Sequence, residues 1–86
     1  MMDISVKSVS DLGAAIRARR KELGLTQQQL SRQMGIRQPS ISAIENGTAT
    51  TQIGTILLLL RHLRLHLSIS AQGVETKSIN LDDIVG

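Results

Sequence analysis

The stretch Leu25–Gly47, LTQQQLSRQMGIRQPSISAIENG, decides how this chain folds. Thr26 is a helix N-cap, and Gln29 three residues later completes a capping box. Leu30 and Met34 face inward, and Gly35 closes this helix after about eight residues. Ile36 is the apolar residue of a tight turn. A second helix follows over roughly 38–46, with Ile41 and Ile44 on its inner face. Asn46-Gly47 stops it, Gly47 being suited to the left-handed position after a helix end. Two short helices joined by a glycine-containing turn have the spacing of a helix-turn-helix.

Towards the N-terminus, Ser10 is a good cap and Asp11 favours a first turn. Leu12, Ala15, Ile16 and Leu23 recur at helical spacing, and Gly24 ends the segment, which predicts a helix over about 11–23. Towards the C-terminus, Thr48–Thr51 form a polar loop. The stripe Ile53, Ile56, Leu57, Leu60 and Leu63 predicts a fourth helix over about 52–65. Leu59 lies at the edge of that stripe. Leu58 lies off it, so it is either a subunit contact or an isolated exposed leucine.

After this helix the period changes. Leu65-His66-Leu67-Ser68-Ile69-Ser70-Ala71 alternates apolar and polar, a strand signal. No second strand signal exists in the chain, and a lone strand needs a partner. Its own copy in a second subunit is the simplest one, giving an antiparallel ribbon about a two-fold axis. Leu67, Ser68, Ile69, Ser70 and Ala71 are therefore expected at a dimer interface together with Leu58. The expected organisation is an arm over 1–9, a helical domain over 10–65, a dimerisation strand over 66–72 and a flexible acidic tail over 73–86.

The 86 residues allow one domain, and a core this small is often supplemented by oligomerisation. There is no cysteine, which excludes disulfides and thiolate metal sites and suits a cytoplasmic location. The N-terminus lacks the apolar segment of a signal peptide, and the longest apolar run, Ile56–Leu60, is too short to span a membrane. There is no Phe, Trp or Tyr, so aromatic base stacking is ruled out. That argues against the usual single-strand and RNA-binding modules. Residues 1–72 carry nine Lys/Arg against four Asp/Glu, a balance of +5, whereas residues 73–86 carry one Lys against three acids. A basic body suits a polyanion, although a balance of this size also fits an ordinary soluble surface. No catalytic constellation is present: the serines lack a triad, and no phosphate loop occurs. His62 and His66 have no further ligand to complete a metal site, so no cofactor is expected.

The residues Gly24-Leu25-Thr26-Gln27, Leu30, Gly35-Ile36, Ser40-Ile41-Ser42, Ile44 and Glu45-Asn46-Gly47 resemble the phage-repressor-like, xenobiotic-response-element family of helix-turn-helix proteins. With the flanking helices the resemblance covers about 10–65. It implies an all-α, lambda-repressor-like domain of four to five helices that binds double-stranded DNA, here with a short C-terminal strand pairing across the dimer. It places the second helix of the motif in the major groove. Arg37, Gln38, Pro39 and Ser42 then stand at base-contact positions. Arg can fork onto guanine and Gln onto adenine, and Pro39 can offer an apolar contact to a thymine methyl. Arg37 stands where many family members carry a better cap, and it meets either a base or a phosphate. Gln27, Ser40 and Asn46 match backbone-contact positions. Arg20 and Glu45 match a salt bridge between the first and third helices. Arg17, Arg19, Lys21 and Arg32 remain as candidate phosphate contacts or as solvated surface.

The four-helix body with Gly35-Ile36-Arg37-Gln38, Ile41-Ser42 and Glu45-Asn46, the leucine-rich fourth helix running into Leu67-Ser68-Ile69-Ser70, and the acidic tail resemble more narrowly the antitoxins of HipBA-type toxin–antitoxin modules. That resemblance implies a dimer that represses its own operon through an imperfect palindrome and holds a toxin of protein-kinase-like fold. Two other readings stand beside it: a stand-alone transcriptional or phage repressor, and an interaction module without DNA binding. Arg37, Gln38 and the basic body count against the last.

Overall fold

The computed structural model describes residues 5–69 and residue 71 of the chain. It contains four helices: α1 (Val9–Glu22), α2 (Gln27–Met34), α3 (Gln38–Glu45) and α4 (Ile53–His62). No strand occurs among the described residues. Each helix starts and stops for a local reason.

The N-cap of helix α1 lies two residues before the expected Ser10. Ser8, in an extended conformation, is the N-cap, and its side chain accepts from the Asp11 amide. The Asp11 carboxylate in turn accepts from the Lys7 amide at 3.0 Å. Both serines are competent caps, but only Ser8 stands three residues before Asp11, so that its hydroxyl and the carboxylate each hold an amide at the helix entrance. Helix α2 carries the full capping box between Thr26 and Gln29, with bonds of 2.8 and 3.0 Å. It stops at Gly35, whose φ of 69° turns the chain towards α3. The Ser31 hydroxyl, donating to the Ile36 carbonyl, fastens that turn. Arg37 precedes α3 without a side-chain cap, and Pro39 sits in the first turn, where a missing N–H costs nothing.

The core draws on every helix. Ile16, Leu30, Ile41, Leu59 and Leu63 are fully buried, with Ile44, Ile56 and Leu60 beside them. Two residues of the expected α4 stripe are not in it: Ile53 is 66% exposed and Leu57 46% exposed. Leu59, expected at the edge, is fully buried instead. Packing against α1–α3 thus selects the face Ile56, Leu59, Leu60 and Leu63. Five consecutive apolar residues, Ile56–Leu60, leave the helical phase open in the sequence, and the pocket left by the first three helices settles it.

At position 13 α1 and α3 come together closely. An added Cβ there would lie 2.6 Å from the Glu45 carbonyl oxygen and closer still to that of Ile44. Only glycine lets the backbones approach this far. Arg19 ties α1 to the other end of the bundle, its Nε donating to the Leu63 carbonyl at 2.9 Å. Leu65–Ile69 follow α4 without regular structure, and Ser70 of the expected strand lies outside the described residues. A ribbon that needs a second copy of the chain has no edge to pair with in one copy. The tail over 73–86 also lies outside the described residues.

Candidate nucleic-acid interface

The turn at Gly35 and the N-terminus of α3 present four consecutive exposed residues, Arg37, Gln38, Pro39 and Ser40. Ser42, one turn on, is half-buried, and Asn46 at the end of α3 is exposed. These side chains belong to a helix whose other face is anchored in the core by Ile41 and Ile44. Their backbone positions are therefore fixed, and among the described residues their side chains make no hydrogen bond, as a reading surface requires. Arg37 makes no ion pair among the described residues. It caps nothing, so its guanidinium is available for an outside acceptor.

Behind this surface lies a buried polar cluster. Arg20 Nε donates to Glu45 Oε2 at 2.7 Å, and Nη2 donates to Oε1 at 3.0 Å. Arg20 Nη1 donates to the Leu25 carbonyl at 2.7 Å. Arg20 is 7% exposed and Glu45 5% exposed, so this fork-on-fork pair lies almost wholly within the protein. Burial pushes the Glu45 carboxyl upward. The hydrogen bonds from Arg20 and Gln27 and the charges of Arg20 and Arg17 outweigh it, and the group ends below its ordinary value. The pair joins α1 to the last turn of α3.

Gln27, at the first position of α2, adds a third member. Its Nε2 donates to Glu45 Oε1 at 3.1 Å, and the residue is half-buried. The amide expected to face DNA is thus also part of the internal cluster. The sequence holds no local signal for this bond, because 18 residues separate the partners. Of the candidate phosphate contacts, Arg17, Lys21 and Arg32 are exposed, whereas Arg19 is committed to the end of α4 and lies 3.7 Å from Glu22. His62 Nε2 pairs with Gln33 Oε1 at 2.7 Å and joins α4 to α2. No group of three His, Cys, Asp or Glu side chains gathers among the described residues. None of the described helices is long and apolar enough to cross a membrane.

The profile of the helix-turn-helix family matches residues 16–69, which include the whole of α2 and α3. The chain belongs to the helix-turn-helix family. It is accordingly a DNA-binding transcription regulator by kind. A transcriptional regulator of Sinorhizobium fredii is 36% identical over 72 residues, covering 84% of this chain and 95% of that protein. The antitoxin HipB of Escherichia coli is 30% identical over 81 residues, covering 90% and 92% respectively. Among solved structures, a HipB variant in an O2 20mer complex superposes with a TM-score of 0.73 at 28% identity, covering 84% of this chain and all of that one. HipB in a HipA–HipB–O2–O3 complex superposes with a TM-score of 0.70 at 29% identity, covering 80% and 97%. The all-α helix-turn-helix architecture of this chain is therefore that of HipB.

The interface has an apolar counterpart elsewhere on the molecule. Ile53 and Leu57 stand one turn apart on α4, and both are exposed. Leu57 and Leu60 form, with Leu65 and Leu67, an open groove of about 490 Å³ edged by Arg61, Arg64 and His66. Leu58, 60% exposed, does not line it.

Proposed function

We propose that this protein is a sequence-specific repressor that binds double-stranded DNA as a homodimer and serves as the antitoxin of a two-component module. The observation that carries the DNA reading is the exposed, unpaired start of α3, Arg37–Ser40, set on a helix fixed in the core. Arg37, Gln38 and Ser42 read base edges, Pro39 offers a thymine methyl an apolar contact, and Gln27, Ser40 and Asn46 hold the sugar-phosphate backbone. Two copies read half-sites about one helical turn apart, so the operator is an imperfect palindrome.

The dimer rests on the alternating segment Leu67–Ala71 and on the exposed apolar side of α4. The antitoxin assignment rests on the likeness to HipB over nearly the full length of both chains. HipB is solved both in DNA complexes and together with HipA. By that likeness the dimer represses its own operon and neutralises a HipA-like toxin of kinase-like fold. The likeness to the Sinorhizobium fredii transcriptional regulator keeps a second reading beside it, a stand-alone repressor.

Footprinting on the promoter of its own gene tests the DNA reading. A protected, two-fold-related site is expected. Replacing Gln38 by Ala should relax preference at one base pair per half-site, at about 1–3 kcal/mol per contact. Uniform loss on all sequences would remove α3 as the reader. Co-purification with the product of the adjacent gene separates the two readings. A stable complex with a kinase-fold protein supports the antitoxin, and no complex with any neighbour leaves the plain repressor.

A further inference from the structure

The Arg20–Glu45–Gln27 cluster does more than join helices. An amide nitrogen carries two hydrogens, and Gln27 Nε2 spends only one on Glu45 Oε1. The acceptor in that bond is a carboxylate. It fixes which way round the amide lies, because the flipped form would set an amide oxygen against a carboxylate oxygen. Glu45 in turn cannot move: three donors from Arg20 and Gln27 occupy its two oxygens, and it is 5% exposed. The orientation of the Gln27 amide is thus set from inside the protein. A DNA phosphate offers acceptors only, so an amide pinned with its nitrogen partly spent still presents one N–H of the right kind. A buried carboxylate close to a polyanion would ordinarily repel it. Here the bidentate Arg20 cancels that charge, and Arg17 adds a further positive one nearby.

We propose that Glu45 is a positioning residue for DNA binding, holding the Gln27 amide so that its second N–H donates to a backbone phosphate. This rests on the DNA reading given above and extends it: the clamp between α1 and α3 also aims a contact carried by α2. Because the contact is to the backbone, its effect is the same on every sequence.

The test needs no known operator. A fluorescent 20-base-pair duplex of mixed sequence, at low salt, serves as the probe for the full-length protein. Gln27→Ala should weaken binding about three- to tenfold for each bound subunit, the size of one lost hydrogen bond apiece. Glu45→Gln should weaken it in the wild-type background and have no further effect on the Gln27→Ala background. Equal fold losses in both backgrounds would show that Glu45 is only structural and would overturn the proposal. Should Glu45→Gln not fold, side-chain amide NMR of the wild-type protein decides instead. The two Gln27 amide protons should resonate apart in the free protein, and only the one not bonded to Glu45 should move on adding duplex. If neither moves while the duplex binds, the proposal fails and the DNA reading stands. If the wild-type protein does not bind the duplex at all, the DNA reading fails and takes this inference with it.

Discussion

A methyl group at position 13 would meet the carbonyl oxygens of Ile44 and Glu45, the latter at 2.6 Å. Helix propensity alone favours Gly13→Ala by about 1 kcal/mol. The steric term wins here, because both neighbours are backbone atoms of a packed helix and cannot rotate away. Gly13→Ala should therefore destabilise by about 1–3 kcal/mol net, visible as a lower denaturant midpoint. A rise in that midpoint would mean that α1 can slide off α3. Nothing near Gly13 in the sequence announces this contact, since it is made to residues far along the chain. The Arg20–Glu45 pair is equally silent in local spacing, and only the family resemblance brings those two residues together. By contrast, the caps of α2 are local chemistry and legible as written.

The same ion pair sets a dependence on pH. The folded Glu45 carboxyl lies below its ordinary value of 4.5, so its contribution is complete above that pH. It is lost as pH falls from there through the folded value. Glu45→Gln should cost about 3 kcal/mol at neutral pH, because it breaks a pair that is almost wholly buried. The melting temperature of the variant should also fall less steeply below pH 4.5 than that of the wild type. Parallel profiles for the two proteins would place the acid transition on other carboxylates.

At the scale of elements, a glycine makes the C-terminal ends of α1 and α3 legible in the sequence and its absence hides that of α4. Helices α1, α3 and α4 all finish with the same pair of backbone bonds, a motif that needs one left-handed residue. Gly24 and Gly47 supply it after α1 and α3, at φ of 72° each. After α4 the residue is Arg64, at φ of 59°. Its amide donates to Arg61 at 3.0 Å, and the Leu65 amide donates to Leu60 at 2.8 Å. No glycine marks this end, so the sequence reads the helix on to Leu65, whereas it stops at His62. A left-handed non-glycine residue costs about 1–2 kcal/mol, and the extra unfolded-state freedom of glycine returns about 0.5–1. Arg64→Gly should then raise the melting temperature by about 2–8 °C. A lower melting temperature would show that the Arg64 side chain holds the end of α4 through contacts worth more than the strain.

For the whole molecule, the decisive quantity is apolar surface left in water. Ile53, Leu57, Leu58, Leu67 and Ile69 are exposed by 66, 46, 60, 49 and 93%. That is a large apolar area for so small a body, and exposed patches of this kind mark association surfaces. They fall on two sides of α4. Leu57 lines the groove that Leu67 also lines, Ile53 one turn before it lines a separate pocket with Val9 and Leu12, and Leu58 follows Leu57 by about 100° around the helix, outside that groove. If the chain self-associates by pairing Leu67–Ala71 across a two-fold axis, Leu57 stands next to that segment and close to the copy. Light scattering at micromolar concentration should then report twice the chain mass. Leu57→Glu should give monomers, because two carboxylates would be buried at each interface. Ile69→Pro should weaken the dimer by removing a ladder donor. Leu58→Glu should weaken the dimer as well, because Leu58 is expected at the same interface and is exposed. If neither Leu57→Glu nor Leu58→Glu dissociates the protein, the copies do not meet along this part of α4.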